Sequence, residues 1–167
     1  MSQTYARQLA LLAILLLSGC LRKFPQIPNT PKKVAVVAWL FRSLRLDVIV
    51  EPTSLFDPSS LNDVSNQRPD IHIRNPRKSH QQVIIDVALT GVDGQSRTSD
   101  EAVERPLQVR YDQKIAKYGQ IAKQNKLRLI PAVFSHTGQI HETFKAFAKE
   151  QIRAKLEHFE GPVKNSR

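Results

Sequence analysis

The chain has a single cysteine in 167 residues, Cys20, so no internal disulfide framework and no cysteine-based zinc cluster can form within it. Acidic residues are short as well. Fifteen Asp and Glu stand against 25 Lys and Arg, giving a formal net charge of +10 and a pI near 10.1. Such an imbalance favours an anionic partner, nucleic acid or a lipid surface, and charge alone does not choose between them. Internal repeats and low-complexity tracts are missing, and nothing points to a small-molecule substrate or to an oligomeric state. The five histidines show no metal-ligand spacing; His136 and His141 flank a Thr-Gly turn and read as turn and helix-start residues, with a shared metal site as the alternative. At this length a single domain can bury a sufficient core without disulfides or structural metal.

The longest apolar run is Leu9–Leu17, LALLAILLL, with Arg7 before it. The run has the length of a signal-peptide core and is short for a bilayer span. It ends in LSGC, from Leu17 to Cys20, which resembles the lipobox of bacterial lipoproteins, where the cysteine is lipidated. That resemblance implies a membrane-anchored envelope protein. The alternative is an apolar segment foreign to the domain that follows, in which case the chain is intracellular. Residues 1–29 thus form an apolar segment and a Pro-containing linker, 30–160 the domain, and 161–167 a tail.

Within the domain, Thr30 and Pro31 suit a helix start. Val34, Val37, Ala38, Phe41 and Leu44 then recur at helical spacing, predicting a helix from Lys32 to about Arg45. LDVIVE, 46–51, is a strand stopped by Pro52. Residues 53–67 form a polar loop. DIHIR alternates and reads as half exposed, whereas VIIDVAL is a continuous apolar run and more central; NPRKSHQ between them makes an antiparallel hairpin the simplest connection. Residues 91–104 are polar. A helix begins at Pro106 and reaches about Asn125, KLRLIPAVFS is a buried strand ending in a turn at Thr137-Gly138, and a last helix carries Phe144, Phe147, Ala148, Ile152, Leu156 and Phe159 on one side. The order helix, three strands, helix, strand, helix predicts an α/β (α+β) mixed sheet with helices on its faces.

Two aspartates stand out. A hairpin folds Asp70, early on its first strand, toward Asp86, late on its second. Mg²⁺ takes hard oxygen ligands and needs only one or two carboxylates, water and a substrate phosphate completing its shell. An aspartate inside IIDVAL is costly unless it is solvated, paired or metal-bound. On the helix from Pro106, Leu107, Tyr111, Ile115, Tyr118, Ile121 and Ala122 share a face, and Lys114 projects within it, with Arg110 and Lys117 at its edge. A lysine so placed either snorkels outward or meets an anion.

Arg68-Pro69-Asp70, a gap of fifteen residues, then Asp86 in IIDV resembles the PD-(D/E)XK nuclease superfamily. Within it, the pattern is closest to the restriction-like endonuclease domain of non-LTR retrotransposon polyproteins, in which a following helix carries Lys and Tyr. KIAKYGQ supplies Lys114, Lys117 and Tyr118, and PAVFSHTG resembles the strand and turn after it. The resemblance covers roughly Thr30 to Phe159. It implies a restriction-endonuclease-like core and a Mg²⁺-dependent DNA endonuclease, Mn²⁺ being the substitute ion. Asp70, Asp86 and the Val87 carbonyl become metal ligands, and Lys114, Lys117 and Tyr118 join the acids in catalysis. Ala88 stands where the family carries lysine two residues after the second acid, so the cation must come from the helix. The zinc knuckle and reverse transcriptase of the retroelement polyproteins are absent, which implies a detached domain, nuclear if its source is eukaryotic.

Seven basic residues lie between Arg105 and Arg128 against one acid, Asp112, and the hairpin tip adds Arg74, Arg77 and Lys78. Arg68, Arg74, Arg77, Lys78, Arg110 and Lys117 are the expected phosphate contacts, giving affinity without base specificity. A solvated helix face is the ordinary alternative for the helical ones. Three readings follow: a nuclease, a non-catalytic nucleic-acid-binding remnant, or a lipid-anchored protein.

Overall fold

A computed structural model describes residues 30–52, 55, 68–77, 81–91, 100–136 and 138–160. The apolar segment with Cys20, the 161–167 tail, most of the loop between 53 and 67, and Lys78 lie outside them. Elements run in the order α1 (Thr30–Ser43), β1 (Val48–Val50), β2 (Ile71–Ile73), β3 (Val83–Thr90), α2 (Asp100–Gln124), β4 (Arg128–Ser135) and α3 (Glu142–Glu160). The four strands form one mixed sheet in sequence order, with β1, β2 and β3 antiparallel and β4 parallel to β3. The hairpin expected between DIHIR and VIIDVAL is therefore present, and the parallel step from β3 to β4 is bridged by α2. No helix among the described residues is long and apolar enough to cross a membrane.

Strand alternation decides which residues enter which layer. Ile71, Ile73, Val83, Ile85, Val87, Ile130 and Ala132 face α1 and α3 and pack with Val37, Phe41, Leu44, Phe144, Phe147 and Ile152 in the main core. At its centre Phe41 meets Phe144 edge-on at 6.2 Å and Phe147 at 5.6 Å between ring centroids. The opposite face carries Ile84, Asp86 and Ala88. Here α2 lies across the sheet, with Ala122 against Ile84 and Leu107 against Ala88 and Val133.

Helices α1 and α2 end alike. Leu46 N–H donates to the Phe41 carbonyl and Leu127 N–H to that of Ala122, while Arg45 and Lys126 adopt left-handed φ values of 59° and 56°. Both are Schellman closures with a long side chain where glycine is usual.

Three expectations need correction. Helix α2 starts at Asp100, six residues before Pro106, which sits inside it. Proline costs one backbone donor and crowds the carbonyl four residues earlier; a 25-residue helix packed on the sheet tolerates the loss. Strand β2 is buried on both faces instead of half exposed: Ile71 and Ile73 enter the main core, and His72, on the other face, is covered as well. Leu156 is 44% exposed, beyond the reach of the sheet, whereas Phe144, Phe147, Ala148 and Ile152 are buried as expected.

Candidate active site

Pairing of Ile71 with Ile85 places Asp70 and Asp86 as the next cross-strand neighbours, one step beyond the end of the β2–β3 ladder. Opposite residues share a sheet face and stand close. Pro69, fully buried, has its own φ fixed by its ring just before Asp70. Asp70 Oδ2 accepts a hydrogen bond from Val87 N at 2.6 Å, tying the two strand ends together where ladder bonds stop.

The backbone explains the choice of donor. Gln82 and Thr90 carbonyls accept from β4, so even-numbered residues of β3 direct their peptide groups to that side. Odd-numbered ones direct theirs to β2. A strand residue presents N–H and C=O to the same edge. Val87, past the end of β2, thus offers its N–H to Asp70 and turns its carbonyl to the same edge.

Asp86 faces α2 and is 4% exposed. The Lys114 ammonium reaches its Oδ2 at 2.6 Å, and the lysine side chain is itself only 16% exposed. That contact is an ion pair without hydrogen-bond geometry, and Oδ2 accepts no hydrogen bond among the described residues. Tyr118, one turn after Lys114, is buried with its hydroxyl bonded to the Asp86 carboxylate. Burial, then the negative charge of Asp86 and that bond, push the phenol up to about 12. Lys114 and Lys117 lie 5.7 and 4.9 Å from the centre of the Tyr118 ring. Ala88 is buried under Leu107.

The Asp70 carboxyl is held above the ordinary carboxylate range. Burial raises it most; the Val87 N–H and the Lys114 charge act the other way, and the charges of Asp86 and Glu51 add to the rise. Glu51 is a member of the site that the sequence reading missed. Val50 pairs with Ile71, so Glu51 stands opposite Asp70, and its N–H donates to the Asp70 carbonyl at 2.8 Å. Glu51, Asp70 and Asp86 therefore form one row across three strands. Glu51 is exposed and has a left-handed φ of 49°. Its only sequence signal is an acid at a strand end before Pro52.

The expected phosphate contacts divide. Arg68 and Lys117 are exposed. Arg74 is exposed but paired with Asp47 at 2.6 Å. Arg110 bonds Gln113 at 3.0 Å and keeps its Nε buried without an acceptor among the described residues. Arg77 is half-buried and donates to the Leu44 carbonyl at 3.2 Å. His141 stacks on Tyr111 with ring centroids 4.2 Å apart and bonds Gln108 at 3.0 Å.

Among the described residues no three His, Cys, Asp or Glu side chains converge to hold a metal ion. A divalent ion at Asp70 and Asp86 would rest on two carboxylates and the Val87 carbonyl. That donor set suits Mg²⁺, whose shell is otherwise filled by water and phosphate, but Asp86 Oδ2 is held by the Lys114 ammonium at 2.6 Å, so an ion bound through that oxygen would have to displace the ammonium. Compared with known proteins, the chain matches no protein-family model and no curated protein.

Proposed function

We propose that this protein hydrolyses phosphodiester bonds with the help of a divalent metal ion. Within that class it is read as a PD-(D/E)XK nuclease of restriction-endonuclease-like fold, acting on DNA and closest to the endonuclease domain of non-LTR retrotransposons. One observation carries the reading. Asp70 and Asp86 are cross-strand neighbours at the open end of a hairpin, and a lysine from the covering helix reaches Asp86.

A bound Mg²⁺ would supply Lewis-acid stabilisation of the phosphate and a more acidic water. Asp70 and Asp86 would hold it, with the Val87 carbonyl at the same edge. Lys114 lies where a cation can position an attacking water or offset charge developing on the phosphate. Tyr118 keeps its proton throughout the neutral range, so it acts as a hydrogen-bond donor that orients Asp86 and not as a base. Lys117, at the rim, contributes charge toward the backbone of the nucleic acid.

The test is nicking of supercoiled plasmid by the purified protein with Mg²⁺ or Mn²⁺. Wild type should nick, EDTA should stop it, and Asp70→Asn and Asp86→Asn should each lower the rate by about 100-fold or more. Nicking that survives both substitutions would sink the assignment.

A second reading, a nucleic-acid-binding remnant without activity, is favoured by the Lys114–Asp86 contact itself: at 2.6 Å the ammonium already neutralises the carboxylate. It predicts salt-sensitive DNA binding with no metal-dependent nicking.

A further inference from the structure

Helix α1 covers the sheet face opposite Asp86 and Lys114, and it turns only one stripe of itself inward. Val34, Val37, Phe41 and Leu44 are buried there, whereas Ala35, Trp39 and Arg42 are exposed and Val36 and Ser43 are half-buried. Spacings of three and four residues gather those five on one outer face with Trp39 at its centre. Trp39 is the only tryptophan of the chain and is 50% exposed. The Ser43 hydroxyl donates back to the Trp39 carbonyl at 2.9 Å, so its hydrogen is used within the helix. Arg42 Nη2 donates to the Val48 carbonyl at 3.3 Å, and no acid pairs with the guanidinium among the described residues. The face therefore combines an exposed indole, small apolar neighbours and an uncompensated cation.

The sequence ahead of and within α1 indicates what would cover it. No Asp or Glu precedes Asp47, whereas seven Lys and Arg do, and the same stretch holds the apolar run Leu9–Leu17. An acid-free basic stretch that joins an apolar run to an amphipathic helix is the pattern drawn to anionic lipid. Tryptophan favours the bilayer interface, where its ring meets acyl chains and its N–H meets water. An arginine beside it can lay its stem along the apolar layer and carry its charge to a headgroup phosphate. Residues 18–29, between the run and the helix, span at most ~40 Å, so any surface that holds the run has α1 within reach. Nucleic acid at the candidate site fits this face less well, because Asp86 and Lys114 lie across the sheet, under α2.

We propose that the outer face of α1 around Trp39 docks on an anionic lipid surface and orients the domain with α2 and the carboxylate row turned away from it. The inference goes beyond the nuclease reading and stands without it. Trp39 and Val36 enter the interface, and Arg42 meets lipid phosphate.

Trp39 is its own reporter. The full chain is mixed with vesicles of phosphatidylglycerol and phosphatidylcholine in equal parts, and tryptophan emission is followed with and without bromine on the acyl chains. Emission should shift to the blue and be quenched by the brominated lipid, and vesicles of phosphatidylcholine alone should quench it less. One basic side chain at such a surface changes partition by roughly fivefold, so Arg42→Gln should lower the ratio of quenched to unquenched emission by about that factor, with thermal unfolding unchanged. Trp39→Phe combined with Val109→Trp moves the reporter to a 50% exposed position on α2 and should abolish quenching. Unshifted Trp39 emission in protein that nevertheless floats with the vesicles would overturn the proposal, since the apolar run alone would then be holding the chain. Equal quenching at positions 39 and 109 would overturn it too, because the domain would have no fixed orientation. Quenching of Trp39 by duplex DNA, with no response to either vesicle, would give the face to nucleic acid instead.

Discussion

Lys114 and Asp86 are close enough, and covered enough, that each depends on the other. Removing one member of a buried pair leaves an uncompensated charge and costs about 3–5 kcal/mol, whereas removing both together costs much less. Lys114→Met should therefore destabilise the fold by about 3 kcal/mol or more in urea titrations, and adding Asp86→Asn should recover over half of it. Asp70 behaves differently. Its carboxyl is raised above 3.8 chiefly by burial, so the native state holds the proton more tightly than the unfolded chain does. Stability is then lost as pH rises through the folded pKa, and above it the ionised group remains a cost. Asp70→Asn, which can still accept from Val87 N, should be more stable than wild type at pH 7 in EDTA. The difference should vanish well below pH 3.8, and thermal unfolding at a series of pH values measures it. Glu51→Gln should lower the Asp70 pKa, because one of the charges raising it is gone. Carboxyl NMR of Asp70 reads that shift directly.

At the scale of elements, the closures of α1 and α2 put Arg45 and Lys126 where an L side chain is strained. Lys126→Gly should raise stability by up to about 1 kcal/mol in chemical denaturation, part of the relief being lost to the freer unfolded chain. The Gln81 side chain donates to the Lys126 backbone carbonyl, a contact that survives the change because it does not involve the lysine side chain. The elements also show what a single sequence makes legible. Apolar periodicity in α1 and α3 and the β-branched run of β3 were strong enough to locate them, and the two short strands were found by alternation. Proline misdirected the start of α2, because local breaking rules do not know that tertiary packing covers a missing bond. DIHIR read as half exposed because it alternates apolar with polar residues, yet His72 is buried with its Nε2 bonded to Gln82 at 2.7 Å. The proximity of Asp70 and Asp86 could be read from one hairpin. The place of Glu51 could not, since the β1–β2 register is set across an intervening stretch of twenty residues, 51–70, whose length says nothing about pairing.

Across the whole molecule, the pH response combines groups far apart. His72 sits in the middle of the sheet and His141 at the start of α3, and burial depresses the pKa of both. A base with a depressed folded pKa contributes stability that is present above the unfolded value, near 6.5, and lost as pH falls toward the folded one. The melting temperature should drop between pH 7 and pH 5, and His72→Gln with His141→Gln should flatten that drop. Calorimetry over this interval, comparing the double variant with wild type, decides it.

The pairing offsets of the sheet add a consequence in time. Strand β3 meets β2 across offsets of only 10 to 14 positions (83 minus 73, 85 minus 71), but meets β4 across 45 (128 minus 83). Closing the shorter loop sacrifices less chain entropy, and long-range parallel pairing is intrinsically slow. The hairpin can thus bring Asp70 and Asp86 side by side before the crossover delivers Lys114. On that order two like charges meet before their counter-charge arrives, so the carboxylate pair opposes early folding more than it opposes the finished protein, where Lys114 offsets part of the repulsion.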